Sequence, residues 1–377
     1  MDTERPPFTE TTVTVTKTVY GGYGLAHVDG YTCFVPYTLP GETVTVQPYG
    51  VRKKTIFAKP VTIEIPSKHR IKPPCPVFGT CGGCTFQHAS YECEIEEKKS
   101  HISDILTRLG KVQDIPPIRT VHDDRFGYRT VAGIKYSNGS YGFYRSGSHD
   151  VVPFPPEGCR LLNGTITDFL QKQKLPKDDF RISSGHDGVC VTSPDALVED
   201  EVNGYVYRRK NRSFFQANGL LRGRMVDEVV SMAREEDADT LIDAGCGCGF
   251  FSLPLSRVFG HVTGFDTDAA AVRSARKNAR DNGVSNATFI RGSFDEINTK
   301  GVSLCLADPP RSGLTKRFIH SLVHSDIETV IYVACDPAHF ARDITRLEGV
   351  FRLDRITFID MFPATNHIEL VSLLKRV

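Results

Sequence analysis

Two patterns of apolar and polar residues divide this 377-residue chain. Residues 11–65 carry short runs of Thr and Val that are separated by Gly and Pro. Such β-branched runs, broken by turn residues, predict a small β-barrel. From about residue 214, strand-like apolar segments recur near 240–243, 261–265, 287–290, 303–307 and 329–334, with helical patterns between them. This alternation predicts a doubly wound, Rossmann-like α/β sheet of parallel strands.

The segment between these two regions has a mixed pattern. Five prolines between positions 60 and 76 indicate a linker. Residues 91–110 place isoleucines and leucines among charges and end at a glycine, which predicts an amphipathic helix. Residues 125–212 mix short strands and turns, with Asn138-Gly139 at the centre of a predicted hairpin. We therefore expect an α+β region here.

Composition limits the class of protein. A chain of 377 residues with 40% apolar and 24% charged residues is typical of a soluble protein of two or three domains. No apolar run approaches the roughly 18 residues of a membrane span, and the polar, acidic N-terminus does not resemble a secretory signal. We expect a cytoplasmic protein that does not bind membranes. In that setting, several of the eleven cysteines are candidate metal ligands or nucleophiles.

Charge alone does not indicate a nucleic-acid partner, because the net charge is +1. Between Thr45 and Lys72, however, there are seven Lys or Arg residues and one acid, Glu64. A solvated basic face would explain this stretch equally well.

A glycine-rich turn follows the strand near residue 240. From Asp243 to Phe250 the chain reads DAGCGCGF, with its three glycines two positions apart. Glycines allow a tight turn and the close approach of a ligand to the backbone. The next strand ends at Asp266, whose carboxylate is placed to accept hydrogen bonds from ribose hydroxyls. The pattern favours an adenosine-sized ligand, and a purely structural turn is the alternative.

Two further strands end in reactive groups. Asp308-Pro309-Pro310-Arg311 places a carboxylate at one strand end, and Cys335 follows the apolar run 331–334. A thiol at the carboxyl end of such a strand lies where doubly wound sheets bind ligands, although a buried, inert cysteine is the commoner outcome. His367 and Glu369 are candidate bases on a C-terminal strand, where a spacing of two would place both on the same face. Spacing does not choose between them.

Five segments together resemble the RNA uracil-5 methyltransferase family. They are Phe214-Phe215-Gln216-Ala217-Asn218, Asp243 to Gly249, Asp308 to Arg311, Ala334-Cys335-Asp336-Pro337 and His367-Ile368-Glu369, in the order of the family. The resemblance implies that Cys335 is the nucleophile and Glu369 the general base. It also implies that an S-adenosyl-L-methionine (SAM) pocket is lined by Gln216, Gly245, Phe250, Asp266, Ser293 and Asp308. Ala334 and Asp336 depart from the family's usual Ser and Asn, and a carboxylate facing the thiol would oppose thiolate formation.

The N-terminal half carries a second resemblance. Residues 11–65 look like a TRAM domain, an OB-like RNA-binding module, which would give the basic stretch a role in neutralising phosphates. Family members with this layout hold a [4Fe-4S] cluster on four cysteines, here Cys75, Cys81, Cys84 and Cys159. From the residues alone, zinc is the alternative, although zinc ribbons usually supply two close pairs of cysteines.

Three parts are therefore predicted: a TRAM-like β-barrel (1–66), a central iron–sulfur RNA-binding domain (67–86 and 117–213) and a SAM-dependent methyltransferase domain (87–116 and 214–377). We expect a monomer that methylates carbon 5 of a uridine in structured RNA, namely 23S rRNA, with the T-loop of tRNA as the alternative substrate. Two rival hypotheses remain. One is a non-catalytic iron–sulfur RNA-binding protein, and the other is an amino-group methylase, which Arg311 disfavours because such enzymes usually carry an aromatic residue at that position.

Overall fold

The computed structural model describes residues 6–377, so residues 1–5, where the predicted barrel domain begins, lie outside the described residues. The chain forms two compact units. The barrel unit comprises the residues up to Ile102 together with Lys135–Cys159 and Phe362–His367. The sheet unit comprises Ser103–Ile134, Arg160–Met361 and Ile368–Val377. The division of the chain into three functional domains stays a prediction.

The predicted N-terminal β-structure is present in the barrel unit. Its six strands are β1 (Thr11–Thr14), β2 (Lys17–Val19), β3 (Tyr23–Val28), β4 (Tyr31–Pro36), β5 (Thr43–Arg52) and β6 (Thr55–Ile65). They form one sheet in the order β1-β5-β6-β4-β3-β2. Alternate side chains point inward, so that Val44, Val46, Ile56 and Ala58 are fully buried. This period of two explains why short Thr and Val runs are sufficient to build the core.

The middle of the chain contributes elements to both units. They are α1 (Tyr91–Arg108), β7 (Ile118–Val121), β8 (Val131–Ser137), β9 (Ser140–Tyr144), β10 (Val151–Pro153), α2 (Gly164–Lys172), β11 (Phe180–Ser184), β12 (Cys190–Val191), β13 (Leu197–Val202) and β14 (Tyr205–Lys210). The predicted hairpin is confirmed, since Asn138 and Gly139 connect β8 to β9 with φ angles of 49° and 79°. Both angles are positive, as a two-residue type I′ turn requires.

The rest of the sheet unit alternates strands and helices. Its elements are α3 (Arg222–Arg234), β15 (Thr240–Ala244), α4 (Ser252–Leu255), β16 (His261–Asp266), α5 (Ala269–Asp281), β17 (Ala287–Arg291), β18 (Leu304–Ala307), α6 (Lys316–Val323), β19 (Thr329–Ala334), α7 (Pro337–Leu347), β20 (Phe351–Ile359) and β21 (Glu369–Arg376). The eight-stranded sheet has the order β17-β16-β15-β18-β19-β21-β20-β7. The predicted doubly wound, Rossmann-like sheet is thus present.

Strand direction determines what meets at one edge of this sheet. Strands β15 to β19 are parallel, so their carboxyl ends lie along the same edge. β21 is antiparallel to β19, with Leu370 opposite Ala334. The first residue of β21, Glu369, therefore lies at the edge where β19 ends, next to Cys335. The strand order changes direction between β15 and β18, and doubly wound sheets usually bind their ligands at the carboxyl edge beside such a point.

Among residues 6–377, no helix is both long enough and apolar enough to cross a membrane.

Candidate active site

The glycine-rich turn after β15 has the conformation that its sequence predicts. Gly245 has a φ of +94°, and a Cβ atom there would lie 2.3 Å from the backbone oxygen of Asp308. Only glycine fits this position, because any side chain would collide with the neighbouring strand end and strain the backbone. The Gly245 N–H donates to Phe265 O (2.9 Å), and the Asp308 N–H donates to Ala244 O (2.9 Å). The turn is therefore fixed between the ends of β16 and β18.

Asp266 supports this turn from the end of β16. Its Oδ2 accepts a hydrogen bond from Gly247 N (2.9 Å), and its Oδ1 accepts one from Asp268 N (2.8 Å). Each carboxylate oxygen has two lone pairs, so these bonds leave acceptor capacity for a ligand. Asp266 thus combines a structural role with the ability to accept hydrogen bonds from hydroxyl groups.

A second acid, Asp243, lies beneath the turn. Its side chain is fully buried, and Oδ2 accepts a hydrogen bond from the Ser252 hydroxyl. Oδ1 is buried without a hydrogen-bond partner among the described residues. Burial raises the pKa of Asp243 to about 7, and the negative charge of Asp266 adds to the shift.

Cys335 and Glu369 lie close enough for their charges to interact. Cys335 is only partly buried, whereas Glu369 is 4% exposed. Burial and, to a smaller extent, the charges of Glu369 and Asp308 together raise the pKa of the Cys335 thiol to about 12. Burial also raises the pKa of Glu369 to about 8. For Asp308 the pKa is raised well above its usual value by burial and then by Glu369, Asp243 and Asp266. A thiol and two carboxyl groups therefore lie at this edge, and the negative charge of one makes ionisation of the others less favourable.

Arg311 is the cation that opposes this effect. Its charge lowers the pKa of both Cys335 and Glu369. From the sequence, Arg311 was expected only to disfavour amino-group chemistry, and a role beside the thiol was not predicted. A signal was available, because Arg311 follows Asp308 by three residues and must lie near the same strand end.

Asp336 caps the helix that follows the thiol. Its side chain accepts hydrogen bonds from Ala338 N (3.0 Å) and His339 N (2.8 Å) at the N-terminus of α7. Asp and Asn are equally good N-cap residues. The departure from the family's usual Asn therefore preserves the helix cap.

One expectation about the C-terminal bases was wrong. β21 begins at Glu369, so His367 does not share a strand with it. His367 belongs to the barrel unit and its ring packs against Phe362, with centroids 5.5 Å apart. The strand pattern therefore does not place both side chains on one face, and the charge of Glu369 raises the pKa of Cys335.

Three predicted pocket residues have less distinctive surroundings. Gln216 is 5% exposed in the loop that precedes α3, and Ser293 N donates to Glu296 Oε2 (2.7 Å). The Phe250 ring packs in the core, with its centroid 4.8 Å from that of the Phe251 ring and 5.3 Å from that of the Phe215 ring. A residue that received no role, Phe214, is 71% exposed.

The four candidate cluster cysteines all lie in the barrel unit. The pKa of Cys84 is raised to about 12 by burial and by the charges of Cys159, Cys81 and Cys75, so these sulfurs are neighbours. Gln87 Nε2 donates to Cys84 Sγ (3.1 Å), and Gly83 N donates to Cys81 Sγ (3.4 Å). Across residues 6–377, no three His, Cys, Asp or Glu side chains form a group that could hold a metal ion.

Comparisons with known proteins agree with the fold and the family resemblance. The family profile described as tRNA (Uracil-5-)-methyltransferase matches residues 195–377, and the TRAM domain profile matches residues 5–61. A relative from Aquifex aeolicus, called an uncharacterized RNA methyltransferase, is 30% identical over 96% of this chain and 98% of its own length. Another of that description, from Listeria innocua, is 28% identical over 96% of both chains.

A solved structure has the same fold along nearly the whole chain. It is the Pyrococcus abyssi tRNA (uracil-54, C5)-methyltransferase in complex with S-adenosyl-L-homocysteine. The TM-score is 0.75 at 23% sequence identity, and the match covers 96% of this chain and 99% of that one.

Proposed function

Because the chain belongs to the RNA uracil-5 methyltransferase family, we propose that it transfers a methyl group from SAM to carbon 5 of a uridine in structured RNA. The observation that carries this proposal is the edge of the sheet at which Cys335, Glu369, Asp308 and the glycine turn meet. A thiol beside a buried carboxylate suits this reaction, since carbon 5 of uracil is a poor nucleophile until a thiolate adds to the ring.

The proposed reaction assigns one task to each group. The Cys335 sulfur bonds to carbon 6, and the electrons of the carbon 5–carbon 6 double bond move toward the O4 carbonyl. Carbon 5 then takes the sulfonium methyl, which leaves S-adenosyl-L-homocysteine. Glu369 removes the proton from carbon 5, and the restored double bond expels the Cys335 thiolate. Atoms and charges balance without an external oxidant or reductant.

Several residues suit a SAM ligand. The glycine turn at Gly245 brings exposed peptide groups to the strand ends, and Asp266 has acceptor capacity for ribose hydroxyls. We assign Gln216, Asp308, Ser293 and Phe250 to the same pocket. SAM supplies an electrophilic methyl group and a positive charge. That charge would favour the ionised forms of Cys335 and Glu369, as Arg311 does.

The reaction should accelerate as pH rises. Glu369 has a pKa of about 8, so at about pH 6 it is mostly protonated and cannot act as a base. Glu369 acts after the methyl group has been transferred, so its pKa governs turnover at saturating substrate. Addition to the ring comes earlier and needs the Cys335 thiolate, and the Cys335 pKa is about 12. We therefore expect kcat/KM to rise by about tenfold per pH unit between roughly pH 6 and 8, because that ratio reports the free enzyme and the ionisation of Cys335 alone. Steady-state methylation assays in overlapping buffers measure this profile.

Arg311→Gln provides the matched comparison for this profile. Without that cation both pKa values rise, so the same curve should move to higher pH. Arg311→Lys retains the charge and should stay near the wild-type profile. A kcat/KM that falls across this range, or that is identical in Arg311→Gln, contradicts the assignment.

The outer face of the barrel unit supports RNA as the partner. Leu25, Phe34 and Phe57 lie opposite one another on β3, β4 and β6, on the side away from the core. The rings of Phe34 and Phe57 stack with centroids 5.7 Å apart. Of the basic residues between Thr45 and Lys72, Arg52 ends β5, Lys59 lies on β6, and Lys68 and Lys72 follow β6. Proteins that bind unpaired nucleotides combine aromatic rings with Lys and Arg side chains.

For the RNA itself we propose a loop of 23S rRNA, with the T-loop of tRNA as the second candidate. The second candidate is favoured by the name of the Pyrococcus abyssi enzyme of the same fold. The direct test incubates each RNA with the protein and isotopically labelled SAM and identifies the labelled nucleoside by mass spectrometry. Labelled 5-methyluridine supports the proposal, and the RNA that carries it identifies the substrate. Label in another nucleoside, or no label in either RNA, contradicts it.

We also propose that Cys75, Cys81, Cys84 and Cys159 hold a [4Fe-4S] cluster. The donor set fits, because three cysteine sulfurs surround that of Cys84, and two of the four sulfurs, those of Cys81 and Cys84, accept N–H hydrogen bonds. Each cysteine of such a cluster binds a different iron, so these sulfurs need not converge as the ligands of one ion do. The methyl transfer needs no electron, and we assign the cluster a structural role in the cysteine-bearing segment.

Metal content tests this proposal independently of activity. Protein purified without oxygen should contain about four iron and four sulfide ions per chain, and Cys84→Ser should lose most of both. Cys190→Ser, which changes a partly buried cysteine of the sheet unit, should retain them. Stoichiometric zinc in place of iron, or iron that is unaffected by Cys84→Ser, contradicts the proposal.

A further inference from the structure

A buried carboxylate on α7 connects two parts of the candidate active site. Asp343 is fully buried, and its Oδ2 accepts hydrogen bonds from Leu314 N (2.7 Å) and from the Tyr332 hydroxyl (2.9 Å). Tyr332 lies on β19, three residues before Cys335, and Leu314 lies three residues after Arg311. The Asp343 side chain is therefore bonded both to β19, the strand that precedes Cys335, and to the loop that carries Arg311.

Arg342 strengthens the same connection. Its Nε and Nη2 atoms donate to Asp343 Oδ1 at 2.9 and 2.7 Å, and Nη2 also donates to Ser312 O (2.7 Å). Ser312 directly follows Arg311. The loop after Arg311 is thus held at the carbonyl of Ser312 by Arg342 and at the N–H of Leu314 by Asp343, two neighbouring residues of α7. Charge-assisted hydrogen bonds of this kind are short and direction-dependent.

The residue between those two peptide groups fits only if it lacks a side chain. Gly313 has a φ of +75°, and a Cβ atom there would lie 2.4 Å from Asp343 Oδ2 and 2.7 Å from Arg342 Nη2. The loop backbone therefore lies directly against this pair of side chains. Such close packing leaves the Asp308–Arg311 segment little freedom to move relative to α7 and β19.

We propose that Asp343 is a positioning residue, which together with Arg342 holds the Asp308–Arg311 loop in register with Cys335 so that Arg311 and Asp308 face the reacting ring. This inference rests on the proposed function. Four charged or titratable groups bear on the outcome: Glu369 from β21, Asp308 and Arg311 from the loop, and Cys335 itself. Asp343 touches none of the reacting atoms, and its effect is exerted through the position of the loop.

The test measures formation of the covalent adduct rather than turnover. RNA containing 5-fluorouridine is mixed with excess SAM and enzyme, and the rate at which protein and RNA become covalently joined is followed across pH. Fluorine at carbon 5 cannot leave as a proton does, so the adduct accumulates. Asp343→Asn keeps the size and one acceptor oxygen but places an amide against the Arg342 guanidinium. We expect adduct formation to slow by roughly 10- to 100-fold, with the pH profile displaced upward as in Arg311→Gln.

Three comparisons make the result decisive. Arg342→Gln removes the bond to Ser312 O and should behave like Asp343→Asn, whereas Arg342→Lys retains a donor and should recover much of the rate. Glu348→Gln, at an exposed carboxylate just after α7, should match the wild type. Calorimetric SAM binding and the thermal midpoint of each variant report whether the fold is retained. If Asp343→Asn does not fold, the two Arg342 variants decide the question.

The outcomes separate this inference from the function on which it depends. A wild-type enzyme that forms no adduct overturns the proposed function. A wild-type enzyme that forms one, with Asp343→Asn and Arg342→Gln at the wild-type rate and pH profile, overturns only the positioning role. An equal loss of SAM binding and adduct formation, with an unchanged pH profile, also overturns it, because that result indicates general structural damage.

Discussion

Replacement of Cys335 by alanine should abolish methyl transfer while leaving SAM binding intact. The sulfur of Cys335 is the atom that makes carbon 5 nucleophilic. We expect the rate of methylation to fall on the order of 10⁴-fold or more, as for removal of other covalent nucleophiles. Transfer of labelled methyl groups to RNA measures the rate, and calorimetry measures the affinity for SAM.

Two variants control for that result. Cys335→Ser keeps a side chain of similar size but offers a hydroxyl, a far weaker nucleophile, so it should be as inactive as the alanine variant. Cys190→Ala removes a partly buried thiol of the same unit, in β12, and should retain full activity. Substantial methylation by Cys335→Ala would favour the rival amino-group methylase. Normal RNA binding by a wild-type chain that never methylates would favour the non-catalytic hypothesis.

Glu369→Gln should stop the reaction after the methyl group has been transferred. The amide cannot remove the proton from carbon 5, so the thiolate is not expelled and enzyme stays joined to ordinary RNA. We expect at most one methyl group per enzyme, with turnover reduced by roughly 10²- to 10⁴-fold. Denaturing gel electrophoresis detects the joined species, and labelled SAM gives its stoichiometry.

The matched control for Glu369 is a buried carboxylate of the same unit that lies on α3. Glu228 is 7% exposed and accepts a hydrogen bond from the Thr357 hydroxyl (2.7 Å). Glu228→Gln should turn over normally and accumulate no adduct. Multiple turnovers by Glu369→Gln, without an accumulated species, would remove Glu369 from the role of base.

Much of the sheet unit follows from local pattern. Central parallel strands are buried on both faces, so β18 and β19 are continuous apolar runs whose carboxyl ends are marked by Asp308 and Cys335. The glycines after β15 likewise have a local signature, since the close approach of Asp308 O excludes any side chain at Gly245. These features depend on near neighbours in the chain and are therefore visible in the sequence.

The start of β21 depends on contacts that no local pattern reveals. The strand was expected to include His367, yet the segment Phe362–His367 is irregular and belongs to the barrel unit. Ala364 has a φ of +64°, and its N–H donates to Glu94 Oε1 (2.7 Å), 270 positions away in the sequence. Glu94 in turn pairs with Lys98 in a fully buried ion pair at 2.8 Å. The alternation of polar and apolar residues therefore predicted a start for β21 that is too early in the sequence.

Electrostatic roles were only partly visible in the sequence. The spacing places Arg311 near the end of β18, but its action on Cys335 and Glu369 depends on strand order, which brings the ends of β18 and β19 and the start of β21 to one edge. Asp336 raised the opposite concern, since adjacency to the thiol suggested repulsion. In the fold its carboxylate caps α7 instead. Proximity along the chain is thus a poor guide to which charges face each other.

The bond between the Cys335 sulfur and the pyrimidine ring is tested most directly by mass spectrometry of the trapped complex. Enzyme, labelled SAM and RNA containing 5-fluorouridine are combined, digested with protease and nuclease, and the joined peptide is sequenced. We predict a single modified peptide, in which Cys335 carries a fluorinated uridine that also bears one labelled methyl group. Attachment at a different residue, or active enzyme that yields labelled RNA but no joined peptide, would contradict the account.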